Sequence, residues 1–406
     1  MIDIVFLRDN PDAVRSGLAR RGIDAARVGE FLALDGKWRE AVTSLGDLRA
    51  VQNGFSKARD TENAKKKKEE VKAAEASLAA LESERDLLLQ KFPNIPASDT
   101  PDGKSDADNV VLREIGVKPQ FAFAAKDYLT IAEAQGVIDV KKAAEVSGSR
   151  FGYLKGRAAL LEFALVQYAM GVLVKKGFVP VVPPVMIKPE PFMGMGRLAA
   201  DQKDERYHVD SDDLYLVGSA EHTLGPIHMN ETLRAAELPK RYVAFSTCFR
   251  REAGSYGKDT KGILRTHQFD KVEMFAFSAP EKSEEEHLFL LSCQEELLSS
   301  LGLPYRVVRI CAGDMGWTDA KAYDCETWLP GQNGGEGEYR ETNSCSNTTD
   351  FQARGIACKQ DKGGYVHMLN ATGFAIGRIL IAIIENYQTA DGDFEIPEVL
   401  KPYMAG

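Results

Sequence analysis

The 406-residue chain nowhere brings two cysteines close enough in sequence to share a metal or a redox pair. Its six cysteines, Cys248, Cys293, Cys311, Cys325, Cys345 and Cys358, are scattered, and the nearest two stand 13 positions apart. Zinc ribbons and C-x-x-C dithiols therefore lack their local signature, and no structural zinc is expected. Thiols spread thinly through a long chain fit a reducing compartment in which they stay free. The opening MIDIVFLRDN has acids at Asp3 and Asp9 and no long apolar run, so it does not read as a leader. No run of about 18 apolar residues is evident elsewhere, so no conventional membrane span is expected. The expectation is a cytoplasmic protein without membrane association. Excess positive charge is missing too: the formal net charge is -9. That excludes a uniformly basic coat for nucleic acid but leaves room for a local basic patch. Both common glycine-rich phosphate devices, G-x-G-x-x-G and G-x-x-x-x-G-K-[ST], are also absent. GQNGGEGEYRE is rich in glycine but reads as a loop rather than a phosphate cradle.

The first hundred residues, in contrast, carry a strong period. Phe31, Leu34, Trp38, Ala41, Leu45, Leu48, Gln52 and Phe55 recur at alternating intervals of three and four. Val71, Ala74, Leu78, Leu81, Arg85, Leu88 and Phe92 repeat the pattern. Two such stripes joined by the polar RDTENAKKKK predict an antiparallel helical hairpin, a coiled-coil arm spanning 28–92. Each helix, of about 30 residues, would reach roughly 45 Å. KFPNIPASDTPDG then reads as a linker, and it divides the chain into an N-terminal domain (1–100) and a larger one (101–406). The arm's tip carries Lys57, Arg59, Lys65, Lys66, Lys67, Lys68 and Lys72, diluted by Asp60, Glu62, Glu69 and Glu70. Two readings stand: a solvated helix end, or a finger whose clustered cations release counterions from nucleic acid.

Beyond residue 110 helical stretches such as RAALLEFALVQYAMGVLVKKG alternate with period-2 segments such as RYVAFSTCF and DKVEMFAF. Neighbouring alternating segments joined by a turn predict an antiparallel sheet, hence an α+β domain. The most charged hairpin runs from Phe249 to Phe275, FRREAGSYGKDTKGILRTHQFDKVEMF. With Arg241–Glu252 as one strand and Leu264–Phe277 as the other, Arg250 and Glu252 share a face. His267, Phe269, Lys271 and Glu273 likewise share a parity. Such a face makes poor core. It is either a self-satisfying ion-pair network or a ligand cleft, with Arg250 for an anion, Phe269 for a flat ring and Glu273 for an ammonium group. The connecting loop, with Gly254, Gly257, Lys258, Lys261 and Gly262, reads as a mobile basic flap. A second charged feature lies in HMLNATGFAIGRILIAIIENYQ. There Arg378 heads a helix whose apolar face is Ile379, Leu380, Ile383, Ile384 and Tyr387, and the helix's positive end favours an anion nearby.

These segments resemble the signature motifs of the class II aminoacyl-tRNA synthetases, specifically the seryl-tRNA synthetases. FRREAGSYGKDTKGILRTHQFDKVE is similar to motif 2, NATGFAIGRILIAIIENYQ to motif 3, and GFVPVVPPVM to motif 1. The likeness extends over essentially the whole chain, from MIDIVFLRDNPDAVRSGLARRG through the arm to the linker. It implies an antiparallel-sheet class II catalytic domain with flanking helices, plus the N-terminal antiparallel coiled-coil arm, acting as a homodimer through motif 1. The implied reaction joins L-serine to ATP as seryl-adenylate, then moves the seryl group to the 3' end of tRNA(Ser), with tRNA(Sec) a second candidate. By the same resemblance Arg250 and Arg378 are catalytic, gripping the α- and γ-phosphates. ATP contacts extend to Arg251, Glu252, the stacking Phe269, Glu341, Thr342, Asn343 and Ser344. Glu341 and Ser344 are the implied Mg2+ ligands. Serine falls to Ser219, Ala220, Glu221, Glu273, Asn370 and Thr372, and tRNA to Lys57, Arg59, Lys65, Lys66, Lys67 and Lys68.

The chain departs from the family pattern in three places. DFQARGIAC has Gly355 where a second arginine is usual, Gly334–Glu338 lengthens a connection, and Ser219 replaces threonine while keeping a hydroxyl. Two competing readings are a relative that loads a carrier protein and an inactive tRNA-binding scaffold. The complete arm opposes the first, and intact Arg250, Glu252, Glu341 and Arg378 oppose the second.

Overall fold

The structure is a computed structural model of the chain and describes residues 1–198, 202–253 and 261–404. It divides into two compact units, Met1–Ile95 and Pro96–Gly406.

In the first unit two short helices precede a long pair, α1 (Ala26–Lys57) and α2 (Thr61–Leu89). Every position of the two periodic stripes is buried or half-buried, as a two-helix seam requires. At 32 and 29 residues the helices extend about 48 and 43 Å. The reversal is tighter than the sequence predicts, occupying only Ala58–Asp60. The Asp60 side chain accepts the Asn63 backbone N–H at 3.1 Å and starts α2 there. Lys65 to Lys68 therefore stand on the first turns of a helix, not in the connection, because lysine and glutamate are good helix formers. Arg85 occupies a seam position without penalty, since its guanidinium lies 4.0 Å from the Trp38 ring centroid. At the base of the arm Asp35, fully buried, takes two hydrogen bonds from Arg8 at 2.6 and 2.7 Å, beside a core of Leu7, Val14, Leu18, Val28, Phe31 and Phe92.

The second unit is built on an eight-stranded sheet. Its strands are β1 (Val110–Ile115), β2 (Val179–Val181), β3 (Lys240–Phe249), β4 (Gln268–Ser278), β5 (Tyr305–Arg309), β6 (Lys321–Leu329), β7 (Glu338–Asn347) and β8 (His367–Ala375). They lie in the order β1-β5-β6-β7-β8-β4-β3-β2. All pairs are antiparallel except β2–β3. Helices α3 (Arg157–Lys175), α4 (Ser283–Ser300) and α5 (Ile376–Asn386) join Val272, Met274, Val307, Cys325 and Leu369 in the main core. On β4 the alternate residues Phe269, Lys271 and Glu273 take the face opposite to Val272 and Met274.

One expectation needs correction. The strands of the charged hairpin end at Phe249 and begin at Gln268. Arg250 and Glu252 thus lie past the ladder, so strand parity does not relate them. Glu252 adopts φ +52, and its carboxylate takes a hydrogen bond from Arg265 at 2.9 Å. Of the basic loop, Gly254, Gly257 and Lys258 fall outside the described residues. Finally, one helix, α3, is long and apolar enough to cross a membrane by length and composition. One side of it, with Leu161, Leu165, Ala169 and Leu173, is packed into the core, while Leu160 and Phe163 on the other are exposed.

The departure at Gly355 has a steric cause. A Cβ there would sit 1.9 Å from the Gly194 carbonyl oxygen, because the helices Phe351–Gly355 and Pro189–Gly194 meet backbone to backbone. No side chain fits between them. In the β6–β7 connection Asn333, Gly334, Gly335 and Gly337 all have positive φ, so the glycines there serve the loop's own path.

Candidate active site

Antiparallel pairing of β3 with β4 sets Phe269 opposite Cys248 and Glu273 opposite Ala244. Past the end of this ladder Arg250 donates from Nε to the Gly218 carbonyl at 3.1 Å, and its guanidinium stands 5.2 Å from the Phe269 ring centroid. From the next strands come Glu341 and Ser344. Three residues apart on one strand, they would ordinarily point to opposite faces. A register shift between Cys325 and Glu326 inserts one extra residue in β7, so that both reach the same cleft. Arg378, in the first turn of α5, donates from Nη1 to the Glu341 carbonyl at 2.7 Å and lies 3.2 Å from its carboxylate. This contact holds the Glu341 carboxyl below its usual range.

Two cavities open on this face. One of about 240 Å³ is bounded by Arg250, Phe269, Lys271, Glu341, Thr342 and Arg378. The other, of about 700 Å³, is bounded among others by Ser219, Glu221, Arg250, Lys271, Ser344 and Asn370. Arg250, Lys271, Glu341 and Ser344 belong to both walls, so the cavities adjoin. Glu221, at the start of a short helix, pairs with Arg197 at 2.7 Å, and this cation holds its carboxyl far below the usual range against the effect of burial. Arg206 lies beside Arg250 and Arg197. Burial first, then those two cations, lower it to about 10. Glu273 is 1% exposed, and burial raises it to about 7 despite Lys271 at 2.6 Å. Glu273 Oε1 and Asn370 Nδ2 are buried with no hydrogen-bond partner among the described residues. A buried acceptor and a buried donor left open in this way cost about 1–3 kcal/mol each until something pairs them.

Most residues singled out from the sequence converge here: Ser219, Glu221, Arg250, Glu252, Phe269, Glu341, Thr342, Ser344, Asn370, Thr372 and Arg378 all line one cavity or the other. Glu273 sits just beneath, in contact with Lys271. Asn343 does not join them. Its amide is fully buried and donates to the Thr372 and Gly373 carbonyls at 3.1 and 2.7 Å, tying β7 to β8. Arg251 is exposed, with its guanidinium 5.6 Å from the Tyr207 ring, and lines neither cavity. Ala220 is fully buried and lines neither cavity. Sequence reasoning missed Arg197, Arg206 and Asp324. The first two lie outside any periodic segment, and Asp324 gives only a polar position in a strand. Lys271 was visible by its parity with Phe269 and Glu273 but drew no role. In the first unit Lys57, Arg59, Lys65, Lys66 and Lys68 are exposed, and Lys67 pairs with Glu70 at 2.6 Å.

Among the described residues no group of three or more His, Cys, Asp or Glu is arranged to hold a metal ion. The cleft instead offers the Glu341 carboxylate and the Ser344 hydroxyl. Asp324 stands opposite Ser344 in the β6–β7 register, its carboxyl raised by burial and by Glu341. This all-oxygen, acid-rich set suits a hard divalent cation that keeps most of its other ligands as water or phosphate oxygens.

An antiparallel-dominated sheet whose cleft gathers arginines, an aromatic face and oxygen donors defines the catalytic core of a class II aminoacyl-tRNA synthetase. The model of the tRNA synthetase class II core domain (G, H, P, S and T) matches residues 206–387, and that of the seryl-tRNA synthetase N-terminal domain matches residues 1–96. The chain belongs to the seryl-tRNA synthetase family. It is 45% identical to the serine--tRNA ligase of Thermobifida fusca, across all of this chain and 97% of that one. Among solved structures it is similar to the seryl-tRNA synthetase of Pyrococcus horikoshii complexed with ATP. That match has a TM-score of 0.92 at 37% identity and covers all of this chain and 98% of the other. The cytoplasmic serine-tRNA ligase of Naegleria fowleri in complex with AMP gives 0.90 at 33%, over all of this chain and 97% of that one.

Proposed function

We propose that the protein is a serine–tRNA ligase that activates L-serine with ATP and transfers the seryl group to the 3' end of tRNA(Ser). The observation that carries this reading is the junction of the two cavities. Arg250 and Lys271 stand between an aromatic, cationic chamber and a larger polar one, which Asn370 lines with an open amide and beneath which the open Glu273 lies. In the first chamber Phe269 offers a ring face for adenine, with Glu252 near its amino group. Arg250 takes the α-phosphate and Arg378 the γ-phosphate. Thr342 borders the nucleotide, and Asn343 supports the wall through its backbone contacts. In the second, Glu221 and Ser219 receive the serine ammonium, and Glu273, Asn370 and Thr372 surround its hydroxyl. Ala220 and Arg251 act from just outside. The serine carboxylate then attacks the α-phosphorus in line and pyrophosphate leaves. No activated side-chain nucleophile is needed, only alignment and neutralisation of charge.

Glu341 and Ser344 would hold Mg2+, which when bound would neutralise phosphate charge. The described residues fit that cation through their oxygen donors. On the arm, Lys57, Arg59, Lys65, Lys66, Lys67 and Lys68 form the basic end that meets tRNA, with tRNA(Sec) a second candidate acceptor. A homodimer is supported by the exposed apolar side chains Leu160, Phe163, Val174, Val179 and Val182 on α3 and the segment after it. Six buried free thiols support a reducing, cytoplasmic setting.

The test is serine-dependent ATP–pyrophosphate exchange followed by charging of tRNA(Ser) and tRNA(Sec) transcripts. Exchange and tRNA(Ser) charging are the expected results. Absence of exchange would overturn the reading, and exchange without charging of either tRNA would restrict it to the first step.

A further inference from the structure

Lys271 is only 7% exposed, yet it is an ammonium group on the floor of a cleft. Its Nζ lies 2.6 Å from Glu273 Oε2 and donates to Ser219 Oγ at 3.2 Å. One cation thereby bridges two residues from different parts of the fold, Ser219 in the wall of the polar cavity and Glu273 just beneath it. A buried ion pair is a costly way to fill space, because two apolar side chains of similar volume would avoid the desolvation of both charges. Moreover, this pair is incomplete, since Glu273 Oε1 is left without a partner.

We propose that Lys271 is a positioning residue for the amino-acid substrate, favouring the ionised form of Glu273 and orienting it and Ser219 so that the open carboxylate oxygen can accept from serine. The inference rests on serine occupying this subsite. The surroundings of Glu273 leave Lys271 as the decisive neighbour. Burial and then Glu221 push the carboxyl up, Lys271 and Arg250 act against them, and the balance leaves it at about 7. Arg197 is committed to Glu221 at 2.7 Å. The thiols of Cys248 and Cys345 are pushed up by burial, the first to about 12, and stay neutral. With Lys271 removed, Glu273 moves further up and is mostly protonated at neutral pH. The subsite then loses its charged acceptor, and with it the penalty that excludes an amino acid lacking the hydroxyl.

The experiment measures KM for serine and for ATP in pyrophosphate exchange by the full-length enzyme, from about pH 6.5 to about pH 9, spanning the carboxyl's titration. Wild type, Lys271→Met, Lys271→Arg and Glu273→Gln are compared. Lys271→Met is expected to raise serine KM by about 10-fold or more at neutral pH, the loss of one charge-assisted bond, with ATP KM little changed. Raising the pH should bring its serine KM back toward wild type, since Glu273 then ionises unaided. Lys271→Arg should retain the wild-type pH profile, and Glu273→Gln should remove the pH dependence of serine KM altogether. A serine KM raised equally at every pH in Lys271→Met would overturn the proposal. So would a wild-type profile in Glu273→Gln, which applies even if Lys271→Met does not fold. Wild-type enzyme that exchanges with no serine dependence would overturn the functional reading itself, a distinct result.

Discussion

Arg250 reaches the cleft from just beyond a strand end, held by the Gly218 carbonyl and lying near the Phe269 ring. Because it sits in both cavity walls, replacing it removes the cation at the point where nucleotide and amino acid must meet. Arg250→Ala is expected to lower kcat for pyrophosphate exchange by about 10²–10³-fold, the usual loss on deleting one donor to developing charge. Near-normal exchange would refute its assignment. The residue types were legible in the sequence, since Arg, Glu and an aromatic on a hairpin suit no core. Their exact relation was not. Parity accounts for Phe269, Lys271 and Glu273 on β4, but Arg250 and Glu252 stand outside the ladder, where a period of two no longer applies.

Two elements illustrate what local pattern can and cannot carry. The arm was readable because its seam repeats over many turns, and its stripe positions are buried as the repeat demands. Replacing the segment between Gln52 and Lys72 by a short turn should leave pyrophosphate exchange intact and reduce tRNA(Ser) charging by about 10-fold or more, as lost phosphate contacts would require. Charging that persists unchanged, followed by aminoacylation kinetics, would show that the arm's tip does not meet tRNA. The pair Phe351–Gly355 and Pro189–Gly194 is the opposite case. In sequence Gly355 registers only as a missing charge, because its partner Gly194 is 161 positions away. Gly355→Arg, which restores the usual family residue, should instead destabilise the catalytic unit by about 1–3 kcal/mol or more through overpacking. A melting temperature equal to wild type would rule out the close backbone approach.

For the whole molecule, α3 connects the core to what lies outside it. Its inner side is buried, but Leu160 and Phe163 are 50% and 66% exposed, and Val182 nearby is 91% exposed. A row of exposed apolar groups on a helix of this apolarity is the surface that the proposed second copy of the chain would cover. The double variant Leu160→Glu with Phe163→Glu should shift the protein from dimer to monomer in sedimentation velocity. An unchanged dimer would exclude this face from the interface. The same helix shows why length and hydropathy do not decide by themselves: apolarity on both sides arises equally from a membrane span and from a core helix that would also meet a partner.

By itself the sequence determined the elements whose signal is local and repeated. These are the paired helices of the arm, the alternating strands, the breaks between them, and the charged residue types that no core would tolerate. Tertiary structure alone decided which of those charges face one another. A one-residue register shift turns Glu341 and Ser344 to the same side, Arg197 rather than solvent neutralises Glu221, and Lys271 bridges Ser219 to Glu273. Each of these relations joins residues distant in the chain or depends on a bulge that breaks the period. Periodicity carries information only along a segment, whereas burial, ion pairing and the open oxygen of Glu273 are set by neighbours that only the folded sheet assembles.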